Sequence, residues 1–360
     1  MSTISFEQRA CGALMGALVG EALGVGPHWY YDLDELHATF GPWIDNYTTP
    51  RPGRYHEGLE AGQSSQAGWL LALTMRSLAE RRGYEEADFC ARLDRDFFPL
   101  IDGTPRCGPG GYTSQSMREA HRLRVEQGLP WGQVGGYADN TEAIERSLAI
   151  AVRYARVPRR LAQAVSANTA LTQIDASVGA MTTAYCAALG LLVQGESFDE
   201  HISDKLMTLV RDGELPFHTV TTGGEGMVPA GAERAHMAGH FPSPDALLSM
   251  GTSARAAHDP GVHIEPAWKV SLVYGMPCAI YYQLPAVYYL AARFSDDFEA
   301  AVLHALNGGG QNQARAMLTG ALVGALVGFD GIPQRFVRGL EKSGEYLDLA
   351  QRIARQAEQD

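Results

Sequence analysis

Residues 10–24 read A-C-G-A-L-M-G-A-L-V-G-E-A-L-G, and residues 318–328 read L-T-G-A-L-V-G-A-L-V-G. Gly12, Gly16, Gly20 and Gly24 recur every four residues, as do Gly320, Gly324 and Gly328. On a helix that spacing makes one smooth stripe, because residues four apart share a face. A glycine inside a helix costs up to about 1 kcal/mol relative to alanine, so close contact with another element must offset it. In a bilayer such a stripe pairs helices. In a soluble chain it packs two central helices against each other, and that is the reading taken. Residues 10–20 follow Arg9 and have the apolarity of a signal-peptide core. Glu7 and Glu21 bracket that run, however, and its glycines keep helical spacing. The run Leu318 to Phe329 is shorter than the roughly 20 residues that span a bilayer.

Outward from these stripes, apolar residues recur at i, i+3, i+4 over 65–82, 85–99, 113–127, 140–156, 158–171, 176–194, 198–211, 285–306 and 344–357. Good helix formers dominate these segments. Strand-like alternation is confined to Phe217–Thr221 and the neighbourhood of Tyr281. A chain of 360 residues leaves room for two or three domains of about 150. The Gly/Pro-rich stretches 41–62 and 213–265 do not resemble Ser/Gly linkers, and long loops of this kind are usually lids or binding loops. The expectation is therefore one all-α domain over 1–360, with a loop-rich insertion at 213–265.

Apolar residues at 46% and charged residues at 19% permit a sizeable core and exclude a disordered tail. The net charge of -12, from 29 basic and 41 acidic residues, disfavours a nucleic acid duplex or an anionic membrane as partner, since both need a basic face. Only Lys205, Lys269 and Lys342 are lysine, and no polybasic run occurs. Cys11, Cys90, Cys107, Cys186 and Cys278 are odd in number and too scattered for a zinc or redox motif. They read as free, mostly buried thiols, which points to the cytoplasm.

Polar and aromatic clusters mark the candidate site. At 20–31, G-E-A-L-G-V-G-P-H-W-Y-Y ends the first glycine helix and delivers His28, Trp29, Tyr30 and Tyr31 into a loop. Three aromatics beside an imidazole suit stacking on a flat ring with acid–base chemistry alongside; the plain alternative is an aromatic plug. At 54–68, R-Y-H-E-G-L-E-A-G-Q-S-S-Q-A-G places His56 and Glu57 before a helix that opens with Gln63, Ser64, Ser65 and Gln66. One serine is expected as the N-cap, and the remaining polar groups face whatever lies before the helix. Asp139 and Glu142 in A-D-N-T-E, beside Asn140, have the spacing of a capping box. Asp175 in T-Q-I-D also precedes a helix; each carboxylate is either a cap or an acid–base group. At 307–315, N-G-G-G-Q-N-Q-A-R lets the backbone approach a ligand closely and opens the second glycine helix with Gln311, Asn312 and Gln313, followed by Arg315. It is not a Walker motif, because Gly-Lys-Ser/Thr is missing. His236 and His240 are four apart, with no third ligand nearby, and read as surface histidines.

The order G-E-A-L-G, A-G-Q-S-S-Q-A-G, T-Q-I-D and G-G-G-Q-N-Q-A-R followed by T-G-A-L-V-G-A resembles the ADP-ribosylglycohydrolase family, which also contains the J1-crystallins. The resemblance runs from about residue 8 to 330 and is strongest at the two ends; H-W-Y-Y and Y-H-E-G-L-E-A-G resemble a divergent branch. It implies an all-α fold and, in usual members, hydrolysis of a glycosidic bond to ADP-ribose at two magnesium ions. The two metal-binding runs of those members correspond to about Ser65–Gly68 and to Gln311–Ala314, and here every aspartate is gone. Glu21 stands where the resemblance puts an aspartate, and His28 at or near the place of a glutamate.

The reading that follows is a divergent enzyme that acts on a small polar molecule, nucleoside-like or glycosylated, and cleaves a glycosidic bond. His28, His56, Glu57, Asp139 and Asp175 are its candidate acids and bases. Trp29, Tyr30, Tyr31, Gln63, Ser65, Gln66, Asn140, Gln311, Asn312, Gln313 and Arg315 are its candidate substrate contacts. No metal or other cofactor is expected, since the amides at the two runs carry no charge, whereas magnesium is usually held by one or two carboxylates. A small-molecule substrate is the expected partner, without nucleic acid duplex or membrane; homo-oligomerisation stays open. The competing reading is a catalytically inactive binding or structural protein, crystallin-like, that keeps the fold.

Overall fold

The computed structural model describes residues 4–217 and 245–359. Its helices are α1 Phe6–Val25, α2 Leu33–Phe40, α3 Gln66–Arg81, α4 Glu86–Arg92, α5 Gln115–His121, α6 Glu142–Arg153, α7 Pro158–Ala170, α8 Ala176–Val193, α9 Ile202–Arg211, α10 Asp245–His258, α11 Val270–Tyr274, α12 Ile280–Arg293, α13 Phe298–Asn307, α14 Asn312–Val327, α15 Gln334–Gly339 and α16 Ser343–Ala357. Among the described residues no strand forms, and β pairing is confined to isolated bridges such as Gly136 with Gln173 and Asn140 with Ala279. The fold is all-α, as the periodicity predicts.

The two glycine helices lie antiparallel at the centre. A methyl group at Gly12 would meet Gly324 O at 2.1 Å, one at Gly16 would meet Gly320 O at 2.3 Å, and one at Gly20 would meet Ala316 O at 2.2 Å. Each distance is far inside van der Waals contact, so only glycine permits this approach. Every residue from Ala10 to Val25 is buried, as expected of a helix that is apolar all round and sits inside the core. The stripe has one consequence for the site: it seats Gly24 on Gln313, where a methyl group on Gly24 would lie 2.4 Å from the Gln313 Cα. The C-terminal end of α1 and the start of α14 thus share one place.

Three expectations need correction. The neighbourhood of Tyr281 is helical, within α12, not a strand. The segment 285–306 is not one helix: the chain leaves α12 at Phe294, and Asp297 caps α13 by accepting from Ala300 N at 2.9 Å. The stretch 213–265 contains α10, whose Leu247, Met250, Ala254 and Ala257 are buried. The flanking prolines, with Ser249, Gly251 and Ser253, hide their helical spacing in the sequence. Residues 218–221, His236 and His240 lie outside the described residues. By length and composition α8 is apolar enough to cross a membrane, yet 72% of it is buried inside the fold, which makes it a core helix.

Candidate functional site

The starts of α3, α6 and α14 converge on the end of α1. Around that point lie two adjoining cavities. The inner one, about 240 Å³, is lined by His28, Trp29, Ser65, Gln66, Asn140, Glu142, Glu145, Gln311 and Gln313, among others. The outer one, about 420 Å³, is lined by His28, Trp29, Tyr31, Arg54, Tyr55, Arg106, Tyr112, Arg118 and Cys278. His28, Trp29, Tyr112, Arg118 and Cys278 belong to both. The two bridges hold the loop 136–140 against Gln173 and Ala279, which fixes the rim.

On the floor, Glu21 is fully buried. Its Oε1 accepts from Ser65 N at 2.8 Å, from the Ser65 hydroxyl at 2.6 Å and from Gln313 Nε2 at 2.9 Å. Burial raises its pKa, and the Ser65 hydrogen bonds oppose that rise. Gln66 clasps Ser114, donating to its Oγ at 2.8 Å and accepting from its N at 3.1 Å. Ser65 is also the N-cap of α3.

The wall is built on His28 and His56, both buried. His28 Nδ1 lies 2.6 Å from His56 Nε2, and His56 Nδ1 lies 2.5 Å from Gly110 O. His28 Nε2 lies 3.1 Å from Gln311 Oε1, which also accepts from the Trp29 indole. The Trp29 ring stacks on His28 at 4.1 Å and meets Tyr55 and Tyr112 edge-on. Burial lowers the pKa of both imidazoles, His56 to about 4. Trp29 and His56 have φ of 61° and 66°, a left-handed backbone that costs a side-chain-bearing residue roughly 1–2 kcal/mol. Backbone strain thus falls on His56 itself and on Trp29 next to His28.

Opposite stand Glu142 and Glu145, in the first turn of α6. Glu142 accepts from the Ser116 hydroxyl, and Glu145 from the Thr141 hydroxyl at 2.6 Å. Burial, then the charge of Glu145, pushes Glu142 up to about 8; burial pushes Glu145 up to about 7. Two carboxyls shifted into the neutral range inside one cavity are a marker of acid–base chemistry. Sequence reasoning gives Glu142 only a capping role and passes over Glu145. The signal available is a short segment, E-A-I-E-R-S-L, whose charges fall one turn apart within an otherwise apolar helix.

The other expected site residues divide. His28, Trp29, Ser65, Gln66, Asn140, Gln311 and Gln313 meet at the inner cavity, and Tyr31 lines the outer one. Tyr30 does not line the cleft: its ring is buried against Phe40 and beneath Arg54. Asn312 and Arg315 sit behind the lining. Asn312 donates to Pro27 O and Leu306 O, and Arg315 to Ala305 O and Gly309 O, so both hold the glycine loop in shape. Glu57 is exposed and accepts from Gly53 N, while Gln63 donates to Glu341. Asp139 accepts from the exposed Tyr281 hydroxyl at 2.5 Å. Asp175 is the N-cap of α8, accepting from Ser177 N and Val178 N. None of these four lines either cavity; each is engaged by local backbone or surface side chains instead.

The donor set can be tested against the metal pair that the resemblance implies. Its two runs present Ser65, Gln66, Ala67, Gln311, Asn312 and Gln313, none of them a carboxylate. Gln66 is occupied by Ser114, and Gln313 directs its amide N–H groups at Glu21 and at Ser65 Oγ, the latter at 2.6 Å. A hard divalent cation needs oxygen there, with negative charge to hold two such ions together. Among the described residues, no three His, Cys, Asp or Glu side chains converge to hold a metal ion. These residues do not fit two magnesium ions.

Comparison with known proteins gives three findings. The family model described as ADP-ribosylglycohydrolase matches residues 2–360. An uncharacterized protein of Archaeoglobus fulgidus is 24% identical over 350 residues, covering 95% of this chain and 94% of its own. A solved structure described as an ADP-ribosylglycohydrolase-related protein complex superposes with a TM-score of 0.62 at 19% identity, covering 98% of this chain and 99% of that one. At that identity the likeness concerns the fold.

Proposed function

The chain belongs to the ADP-ribosylglycohydrolase family, and from that premise we propose that it is a hydrolase that cleaves a glycosidic bond in a small polar, nucleoside-like or glycosylated substrate without a magnesium pair. The observation that carries the reading is the half-buried Glu142 beside the buried Glu145, both lining one cavity and shifted to about 8 and about 7. Glycosidic cleavage through an oxocarbenium-like state needs a proton donor and a carboxylate. Glu142 holds its proton at pH 7 and gives it to the leaving atom as the glycosidic bond breaks and that atom keeps the electron pair. Glu145 is ionised in part at the same pH; it stabilises the cationic sugar and takes a proton from the water that adds to the anomeric carbon. His28 and His56 form a second proton-handling pair on the facing wall. The aromatic faces of Trp29, Tyr55 and Tyr112 suit a planar leaving group. We place the protein in the cytoplasm, with a small molecule as its partner.

Retention of these carboxyls also argues against an inactive, crystallin-like relic. Desolvation disfavours the charged form of both carboxyls, a cost that brings a chain with no ligand to bind no gain. The test is release of sugar from a panel of nucleosides, ADP-ribose conjugates and amino-sugar conjugates. Glu142→Gln should lower kcat by about 10²–10⁴, the usual share of a positioned acid, with the fold intact by circular dichroism. If no panel member is cleaved or raises Tm, or if Glu142→Gln keeps full activity, the reading fails.

A further inference from the structure

The hydrogen bonds across the histidine pair can be counted by direction. An indole N–H only donates and a carbonyl oxygen only accepts. Trp29 donates to Gln311 Oε1, so the carbonyl end of that amide is fixed toward the pair, and the same oxygen faces His28 Nε2 at 3.1 Å. At the far end Gly110 O faces His56 Nδ1 at 2.5 Å, with 2.6 Å between the two rings. The line thus has three gaps and an acceptor at each end. Two neutral imidazoles carry two N–H protons, which fill two gaps at most and leave the third with a nitrogen lone pair against an oxygen or with two nitrogen lone pairs against each other. A third proton fills all three. We infer that His28 and His56 take up one proton as a unit beyond those of two neutral rings, and that Trp29, acting through Gln311, is the positioning residue that makes them do so.

Two observations support this. Of the four non-glycine residues with positive φ among the described residues, two are Trp29 and His56, so the backbone is held out of its ordinary range at the donor to Gln311 and at one of the two rings. Asn312 and Arg315 pin the loop that carries Gln311, so its amide is not free to wander. Burial opposes the added charge, and the completed hydrogen bonds favour it. The groups that face the pair are Tyr112 by its ring edge on His56, and Tyr55, Arg54, Arg118, Cys278 and the Glu142–Glu145 carboxyls across the cavities. A proton released in the cavity then finds an acceptor that needs no rearrangement to receive it. This deepens the role given to the pair above but does not depend on turnover.

The experiment is side-chain ¹H–¹⁵N correlation of the full chain, labelled at histidine, without substrate, from pH 4 to 8. Both rings should change together in one transition. Trp29→Phe keeps a ring on His28 and removes the donor, which lets the Gln311 amide turn its N–H groups toward His28. The pair should then bind its proton about tenfold more weakly, a midpoint lower by about one pH unit, the scale of a hydrogen bond to a charged group. Trp29→Phe with Gln311→Glu should restore the midpoint or raise it, because a carboxylate accepts in either orientation. Gln311→Glu alone should raise it. Two separate transitions, a pair neutral down to pH 4, an unchanged midpoint in Trp29→Phe, or failure of Gln311→Glu to restore it would each overturn the inference. Since no substrate is present, loss of the glycosidic reading would leave this result standing, and the reverse also holds.

Discussion

Replacing Glu142 by Gln should flatten the dependence of stability on pH. Glu142 is half-buried at the cavity wall, and its carboxyl is pushed from an ordinary 4.5 up to about 8, by desolvation first and by the Glu145 charge second. Folding therefore favours its protonated form. The stability it contributes is fully present below the ordinary carboxylate range and is lost as pH rises through about 8. A tenfold change in proton affinity is about 1.4 kcal/mol, so the whole loss is on the order of 3–5 kcal/mol, a large part of a typical stability of about 5–15 kcal/mol. Glutamine carries an amide of similar shape that cannot ionise, and its Oε1 can accept from Ser116 in place of the carboxyl. Urea unfolding at pH 5, 7 and 9 measures the difference. At pH 5 the two proteins should be close. At pH 9 Glu142→Gln should be the more stable by roughly 3–5 kcal/mol. A residual slope from Glu145, whose own carboxyl is raised to about 7, should end near neutrality. Parallel curves for the two proteins, or a wild type that gains stability from pH 5 to 9, would refute the argument that these carboxyls are held neutral by burial.

Gly16→Ala places a methyl 2.3 Å from Gly320 O, backbone against backbone with nothing flexible to yield; it should lower stability by about 3 kcal/mol or more, above the usual range of overpacking, or prevent folding, as read by Tm. Gly344→Ala, which lies in α16 and meets nothing within 4 Å, should leave stability unchanged or raise it by up to about 1 kcal/mol in the same assay. Asp175→Ala removes the N-cap of α8 and should cost about 1 kcal/mol while turnover stays unchanged; a hundredfold loss of kcat would return Asp175 to the reacting groups.

The fold is legible in the sequence because its central feature is local and periodic. A glycine every fourth residue has one economical explanation in a helix, and the same stripe at both ends names its partner. Helices α10 and α13 are harder: in α10 small polar residues dilute the pattern, and the break at Phe294 depends on Asp297 finding Ala300 N, which periodicity does not display. The site is legible where motif order carries it. Gln66, Gln311, Gln313, His28 and His56 come together because the stripes bring the end of α1 to the start of α14. Side-chain direction is not legible. Asp139 and Asp175 stand beside the cleft in sequence and turn away from it, each satisfied by a local donor. Glu142 and Glu145 escape notice for the converse reason: charged residues in a first helical turn ordinarily face water, and only the packing of α6 against α3 and α1 puts them inside.

We propose that neutral amides and carboxyls of raised pKa line this cleft where a magnesium pair would need negative oxygens. Calorimetric titration of chelator-stripped protein with magnesium, paired with turnover of an identified substrate in EDTA, tests it most directly. No pair of ions should bind, and activity should survive EDTA. Two divalent ions bound between Gln66 and Gln311, or complete loss of activity that magnesium restores, would contradict it.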